Sequence, residues 1–318
     1  MTMKISISKD FQKALETIQK QWQKAHDSEN VFRYKLDVKD KKILQGSMNF
    51  FCQLNPERAT LRRLPQQIGP LDKPFDDSVF NFKKIAKAEY LLDVIFNGAS
   101  YSFIINQSPL TKYHSLICPK LYSGLPQKLT QEAIYFALSF MKSIESTDFI
   151  IGYNSPGALA SVNHLHLHLM QIEQKLYIET VELKEINANF FRPQNCLFDE
   201  AFCYVIKQEM ELQKSAEDIY EFIKFLCKES IPHNLSIIKL QDHVIRVFIF
   251  IRENPCVVKD YTKINIAFCE FSGYFPVGDK ILYESLNEEF LIKKIKLETG
   301  NCFDKVKAYV ETLPIAKS

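Results

Sequence analysis

Glycine is scarce in this chain, and the scarcity excludes several kinds of nucleotide site. Nine glycines occur in 318 residues, which is less than half the usual content of ~7%. Neither a GxxxxGK(S/T) loop nor a GxGxxG fingerprint is present. A nucleotide bound by this chain would therefore not be held by a P-loop or by a dinucleotide-binding motif.

An excess of one charge and long apolar runs are also lacking. The formal net charge is +2, from 40 basic and 38 acidic residues, which argues against a broad basic surface for nucleic acid. Apolar runs stay well short of the ~20 residues of a membrane span, and MTMKISISKDFQKALE has no secretory pattern. We therefore expect neither a nucleic-acid nor a membrane partner.

Paired cysteines are missing as well. The eight cysteines include no CxxC pair, a usage that suits reduced thiols better than a disulfide frame or a zinc ribbon. The sequence therefore predicts a cytosolic protein that uses no metal and no other cofactor.

Secondary-structure patterns occur twice in a similar order. In the first half, EYLLDVIFNGASYSFIIN predicts a hairpin that turns at Asn97-Gly98, followed by a strand, a helix capped by Thr130 and two strands. In the second half, AEDIYEFIKFLCKES predicts a helix, NLSIIKL, HVIRVFIFIR and INIAFCEFS predict strands, and the tail is helical. The repeat predicts an α+β fold of two similar halves, with antiparallel sheets and packed helices.

The chain divides into three parts on this basis. Residues 1–75 contain an amphipathic helix, predicted over residues 8–26, and an extended arm with several prolines. Residues 76–178 form the half that carries the histidines. Residues 179–318 form a second, degenerate half with C-terminal helices.

Three of the seven histidines lie in the segment NHLHLHLM. Because side chains alternate along a β-strand, His164, His166 and His168 would share one face, with neighbours about 6.8 Å apart. A neutral imidazole is able to attack phosphorus and form a phosphoramidate, while flanking imidazoles bond the phosphoryl oxygens. Two of the rings could instead bind a metal ion, and an exposed strand face without chemistry is the plainest alternative. The concentration of histidine in one short segment favours catalysis.

The run HLHLHLM matches the signature of the histidine triad superfamily. Other segments resemble, in the same order, the GDP-D-glucose phosphorylase family, and these are FRYKL, QLNPERATLRRLPQQI, FNFKKI, INQSPLTKYHSLICPK, GYNSPGALASVNHLHLH and HNLSIIK. The resemblance covers most of the chain. It implies two histidine-triad-like halves, as in the galactose-1-phosphate uridylyltransferase branch, with only the first half carrying the HxHxH strand.

The resemblance also implies a reaction in two steps. GDP-glucose would transfer its GMP group to His166 and release glucose 1-phosphate, and inorganic phosphate would then take the GMP group as GDP. Two alternatives stay open: a nucleotide or nucleotide-sugar hydrolase of the histidine triad type, and a non-catalytic guanine-nucleotide-binding protein. Leu159-Ala160 stand where hydrolytic members usually have Gly-Gln, which favours phosphate as the acceptor. The identity of the hexose and the oligomeric state stay open as well.

Residue roles follow from the same resemblance. His166 matches the nucleophile, and His164 and His168 match the flanking positions that orient it and contact phosphate. The other matched positions are polar residues expected around the substrate, and they are Asn106, Ser108, His114, Asn154 and Ser161. Tyr113 departs from the pattern, because relatives usually have glycine before the histidine at 114.

An arginine-rich run precedes the first half. Arg62 and Arg63, in PERATLRR, would bind the acceptor phosphate through bidentate hydrogen bonds. A solvated basic face is the alternative interpretation of this run.

Overall fold

A computed structural model of the chain describes residues 4–6, 10–28, 30–194, 201–259 and 263–313. Within these ranges the chain forms fourteen β-strands and nine α-helices. None of the helices in the described ranges is long and apolar enough to cross a membrane. Cys196 lies outside the described residues, and no disulfide joins the other cysteines.

The strands follow one another along the chain as β1 (Lys4–Ser6), β2 (Asp40–Ile43), β3 (Phe51–Leu54), β4 (Tyr90–Phe96), β5 (Ala99–Ile105), β6 (Ser115–Pro119), β7 (Phe149–Asn154), β8 (Leu167–Gln171), β9 (Leu183–Glu185), β10 (Phe190–Pro193), β11 (Ala201–Ile206), β12 (His233–Lys239), β13 (Ile245–Ile251) and β14 (Tyr274–Val277). The helices are α1 (Phe11–Asp27), α2 (Pro56–Leu61), α3 (Gln131–Ser143), α4 (Tyr177–Thr180), α5 (Leu212–Lys228), α6 (Phe268–Phe271), α7 (Lys280–Ser285), α8 (Glu288–Thr299) and α9 (Phe303–Thr312).

Eleven strands form one sheet, in the order β1-β4-β5-β6-β8-β7-β12-β13-β11-β10-β9. The strands β4 to β8 with α3, and β9 to β13 with α5, repeat one arrangement in which neighbouring strands are antiparallel. The antiparallel pair of β7 and β12 joins the two halves, with Ile151 opposite Ile237. The predicted α+β fold is confirmed, and both halves share a single sheet.

A half-turn about the pair of β7 and β12 relates the two halves. The strand β13 flanks β12 as β8 flanks β7, and its sequence, IRVFIFI, contains no histidine. The second half therefore has no imidazole at the positions where the first half has its histidines.

Helices cover one face of the large sheet. The predicted apolar stripe of α1 is buried there, with Phe11, Leu15, Ile18 and Trp22 at most 3% exposed. Burial of side chains of this size contributes about 1.5–3 kcal/mol each. The core on this face also includes apolar residues from α3, α5 and α9, so the amphipathic prediction for α1 is confirmed.

Local signals produced the expected turns and caps. Asn97 and Gly98 both have positive φ angles, 48° and 75°, as a type I′ hairpin turn requires. The Thr130 side chain accepts a hydrogen bond from the Ala133 N–H at 3.2 Å and begins α3, as predicted.

A second, smaller sheet covers the other face and was not predicted. Its order is β14-β3-β2, so a strand from near residue 50 pairs with one from near residue 275. The prediction of a strand at INIAFCEFS was wrong, because Glu270 accepts a hydrogen bond from the Ala267 N–H at 2.9 Å. This side-chain cap starts the short helix α6, and the strand follows it as β14.

Candidate active site

The imidazole row, formed by His164, His166 and His168, lies where the polypeptide enters β8. The strand begins at Leu167, so His168 is within it and His166 precedes it. The side chain of Gln127 replaces a neighbouring strand at this point: its Oε1 accepts from the His166 N–H at 2.9 Å, and its Nε2 donates to the His166 carbonyl at 3.1 Å. Leu165 and Leu167 are buried in the core, as the alternation predicts, but the prediction that one strand carries all three imidazoles is wrong for His164 and His166, because the chain forms a bend there before β8 begins. The rings of His166 and His168 lie 5.2 Å apart between centroids.

Hydrogen bonding fixes the tautomer of His166. Its Nδ1 lies 2.8 Å from the His164 carbonyl oxygen, which accepts hydrogen bonds and cannot donate them, so the proton is on Nδ1 and Nε2 keeps its lone pair. Burial lowers the pKa of His166 to about 3. The ring is therefore neutral at pH 7 and has a nucleophilic nitrogen.

A second series of hydrogen bonds fixes the opposite tautomer for His168. The Leu110 N–H donates to Nδ1 of His114 at 3.0 Å, so the proton of neutral His114 is on Nε2. That Nε2 lies 3.0 Å from Nδ1 of His168, so Nδ1 of His168 accepts a hydrogen bond from it and the proton of neutral His168 is on Nε2. Burial lowers the pKa of both rings well below the ordinary value. His166 thus offers a lone pair at Nε2, and His168 offers an N–H.

The ring of His164 does not line the cavity, described below, that the other two imidazoles face. It packs against Phe75 and Phe82, with centroid distances of 5.1 and 5.6 Å, and its Nδ1 accepts from the Phe82 N–H at 3.1 Å. Burial lowers its pKa to about 4. The His164 ring therefore does not face the cavity. Its residue acts on the cavity only through its backbone carbonyl, which accepts the hydrogen bond from Nδ1 of His166.

Nine of the ten predicted site residues line one cavity of about 150 Å³. They come from widely separated parts of the chain and are Arg62, Arg63, Asn106, Ser108, His114, Asn154, Ser161, His166 and His168. The cavity also includes Arg58, which belongs to the same run PERATLRR as Arg62 and Arg63, and three residues that sequence reasoning did not single out, Lys259, Lys263 and Glu270. Of the described residues, no three His, Cys, Asp or Glu side chains lie close enough together to hold a metal ion.

The cavity concentrates positive charge. Burial, together with the neighbouring Arg62 and Arg58, lowers the pKa of Lys259 well below its ordinary value. Burial also lowers the pKa of Arg63 to about 10 and raises the pKa of Glu270 to about 7. The largest cause of each of these shifts is the cost of placing a charge where water is excluded. An anion such as a phosphate would offset the cost for the cations.

A smaller cavity of about 70 Å³ adjoins the first and shares several residues with it, among them His166, His168 and Arg63. Phe80 and Phe82 form part of its wall, and the Arg63 guanidinium lies 3.6 Å from the centre of the Phe80 ring. Glu89 lines the same space and is 7% exposed. His166 and His168 therefore lie where the cation-lined cavity meets a smaller one whose wall includes aromatic rings, called the aromatic cavity below.

Two non-glycine residues near the site adopt left-handed backbone conformations. Tyr113 has φ 59° and Leu159 has φ 67°, in the region that favours glycine. The Tyr113 ring packs edge-on against Trp22 at 5.7 Å, and Trp22 Nε1 donates to the His114 carbonyl at 3.1 Å. Packing thus holds a turn that glycine would form without strain.

Gln127, Lys259 and Glu270 are functional candidates that sequence reasoning missed. Gln127 lies in a loop before α3, and Lys259 is one of 40 basic residues, so neither has a local pattern that marks it. Glu270 had a weak signal, because it ends the spacing A-x-x-E that caps α6.

Comparison with known proteins agrees with this architecture. Two family models match the chain, the GDPGP1-like N-terminal domain over residues 14–170 and the GDPGP1-like C-terminal domain over residues 200–313. GDP-D-glucose phosphorylase 1 of Danio rerio is 32% identical over 271 residues, covering 81% of this chain and 79% of that protein. GDP-L-galactose phosphorylase 2 of Arabidopsis thaliana is 25% identical, covering 81% and 66%.

Among solved structures, yeast Ap4A phosphorylase Apa2 shares the fold. Its TM-score is 0.67 at 15% sequence identity, and the match covers 96% of this chain and 99% of that one. The paired halves and the imidazole row at a cation-lined cavity define a protein of the histidine triad class. Within that class, the chain belongs to the GDPGP1-like family. The resemblance identified from the sequence is confirmed.

Proposed function

We propose that the protein is a GDP-hexose phosphorylase, with GDP-glucose as the expected substrate. Nε2 of His166 attacks the α-phosphorus of the GDP-hexose; the N–P bond forms as the bond to the bridging oxygen breaks, and hexose 1-phosphate leaves. An oxygen of inorganic phosphate then attacks the same phosphorus, GDP departs and His166 regains its lone pair. The observation that carries this proposal is the tautomer of His166, a buried neutral ring with Nδ1 bonded to the His164 carbonyl.

The surrounding groups suit both steps. His168 presents an N–H to the phosphoryl oxygens, whose charge is redistributed in the transition state. Arg58, Arg62 and Lys259 line the cavity where the leaving hexose phosphate and the incoming phosphate would bind in turn. The leaving group has a second pKa near 6, so it departs with little proton donation. No dedicated acid is required for this step.

The aromatic cavity suits the guanine base. Phe80 and Phe82 offer ring faces for a purine, and Glu89 is a carboxylate that can accept from the N1–H and 2-amino group of guanine. Because this cavity and the cationic one meet at His166, the α-phosphate of a bound GDP-hexose would lie at the ring. This arrangement supports transfer of GMP and not of the hexose.

Trapping the intermediate tests the proposal. Incubation with GDP-glucose in the absence of phosphate is expected to yield an acid-labile GMP adduct on His166, measured by intact mass and peptide mapping. Addition of phosphate is expected to discharge the adduct as GDP. GMP as the product, whether or not phosphate is present, would instead identify a hydrolase. An unmodified protein together with tight GDP binding would identify the non-catalytic alternative.

The sugar and the acceptor are finer questions within the same proposal. The named relatives act on GDP-D-glucose and GDP-L-galactose, so a panel of GDP-hexoses that includes GDP-mannose should be compared by kcat/KM. We also propose a cytosolic location, which the lack of disulfides among the described cysteines supports.

The arginines allow a separate prediction. Arg62→Ala is expected to raise the KM for inorganic phosphate by roughly tenfold or more, because a charged hydrogen bond to an anion contributes about 1.5–3 kcal/mol. Initial rates at varied phosphate concentration measure this effect. Lys224, an exposed cation paired with Glu221 on α5, provides the control, since Lys224→Ala should leave that KM unchanged. An unchanged KM in Arg62→Ala would favour the solvated-face interpretation.

A further inference from the structure

A chain of buried polar side chains runs from the second half to the cavity. Arg252, which follows β13, is fully buried and lies 3.6 Å from Glu298 of α8. Its Nε donates to Oδ1 of Asn234 at 3.2 Å. In turn, Nδ2 of Asn234 donates to Oδ1 of Asn154 at 2.6 Å. Asn154 lines the cavity together with His166.

These hydrogen bonds determine the orientation of the Asn234 and Asn154 amide groups. A guanidinium only donates hydrogen bonds, so the oxygen of the Asn234 amide must face Arg252. The nitrogen of Asn234 then faces two oxygens, Oδ1 of Asn154 and the Ala158 carbonyl at 2.9 Å. The oxygen of Asn154 receives a second donor, the Phe268 N–H, at 3.2 Å. Both of these groups donate to Oδ1, so the amide nitrogen of Asn154 is turned away from them.

We propose that Arg252 and Asn234 are positioning residues that hold the Asn154 amide with its Nδ2 toward the reacting phosphoryl group. The proposal rests on the proposed function, in which that group reacts at His166. A donor already aimed at phosphoryl oxygens stabilises their charge in the transition state without reorganisation. A flipped amide would place its oxygen against those oxygens, and the repulsion would slow transfer.

This role gives the second half a function in the reaction although it has no imidazole row. Asn234 is on β12 and Asn154 is on β7, the two strands that join the halves. Burying an arginine is costly unless its hydrogen bonds are satisfied. Here the Ile266 carbonyl accepts from Nη2 of Arg252 and the Asn234 oxygen accepts from Nε. Nη1 of Arg252 has no hydrogen-bond partner among the described residues and lies 3.6 Å from a carboxylate oxygen of Glu298. The buried cation thus specifies an orientation that an apolar side chain would leave undetermined.

Asn234→Asp tests the proposal, because aspartate keeps the acceptor for Arg252 and replaces the donor to Asn154 with an oxygen. We expect kcat for GMP transfer to fall at least about tenfold, while the KM for GDP-glucose changes less than about twofold. A purely structural role would lower the melting temperature without this division between kcat and KM.

The matched control is Asn187→Asp. Asn187 donates from Nδ2 to the Val310 carbonyl at 2.9 Å, so the same substitution removes the same kind of hydrogen bond away from the cavity. We expect Asn187→Asp to retain the wild-type kcat. A loss of kcat equal to that of Asn234→Asp would overturn the proposal.

A double-mutant cycle with Asn154→Ala gives the decisive measurement. If Asn234 acts through Asn154, Asn234→Asp should change kcat less than about twofold when Asn154 is already Ala. Equal losses in both backgrounds, or an unchanged kcat in Asn234→Asp alone, would refute the positioning role. Arg252→Met, assayed in the same cycle, replaces Asn234→Asp if the latter is not recovered folded. Wild-type phosphorolysis measured in parallel separates the two failures, since an inactive wild type contradicts the proposed function itself.

Discussion

His166→Asn is expected to abolish GMP transfer, lowering turnover by at least about ten-thousand-fold. The Asn amide nitrogen has no lone pair available for attack, so neither the N–P bond nor the intermediate can form. The rest of the cavity stays in place, and GDP binding should be retained. Single-turnover assays with labelled GDP-glucose measure transfer, and calorimetry with GDP measures binding.

His243→Asn is the control for this substitution. His243 is exposed and has φ 63°, a backbone conformation that asparagine tolerates well, so the same change should leave both transfer and stability as in the wild type. Residual transfer by His166→Asn within tenfold of the wild-type rate would contradict the assignment of the nucleophile.

Acid is expected to destabilise the folded protein strongly below pH 6.5. Burial lowers the pKa of six histidines: to about 3 for His166, to about 4 for His164 and His233, well below the ordinary value for His114 and His168, and below the ordinary value for the partly exposed His26. The unfolded chain has histidine pKa values near 6.5 and therefore binds protons that the folded chain does not. Stability is full above pH 6.5 and falls as the pH approaches the folded values.

The size of the effect is large compared with the total stability. At pH 5 each of these histidines other than His26 costs at most about 2 kcal/mol, whereas folded proteins are stable by ~5–15 kcal/mol in total. Glu270 works in the opposite direction, because its raised pKa of about 7 means that protonation relieves a cost of folding. It offsets roughly one of the histidines.

Urea unfolding between pH 7.5 and 5 measures this dependence. We expect the free energy of unfolding to fall steeply through this range, and His233→Gln to reduce the slope by about one proton. His233 suits this purpose because its ring lies against Tyr153 at 6.0 Å between centroids, outside the residues that line the cavity. A free energy of unfolding that stays constant down to pH 5 would contradict the buried neutral state of the histidines.

Much of the fold could be predicted because its signals are local. The hairpin at Asn97-Gly98 and the cap at Thr130 depend on residues a few positions apart, and the stripe of α1 depends on a period of 3.6 residues. The strand at INIAFCEFS was mispredicted because a cap at Glu270 outweighed β-propensity. The small sheet was missed because β3 and β14 are more than 200 residues apart in sequence, and no local pattern reports such a pairing.

The sequence by itself determined the nature of the chemistry. Without a glycine loop to hold phosphate, the three alternating histidines were the plausible phosphoryl site, and the segments around them established the family. These features lie within short stretches of chain. They can be recognised from spacing and residue type without knowledge of what the stretches contact.

Only the tertiary structure decided how that chemistry is arranged. The tautomers of His166 and His168 depend on the carbonyl of His164 and on the ring of His114, and the pKa values depend on exclusion of water. Lys259 reaches the cavity from the second half. Arg252, also from the second half, is linked to Asn154 of the cavity through Asn234. Hydrogen bonds and burial of this kind arise between residues distant in sequence, because packing brings them together, and periodicity and spacing do not record such contacts.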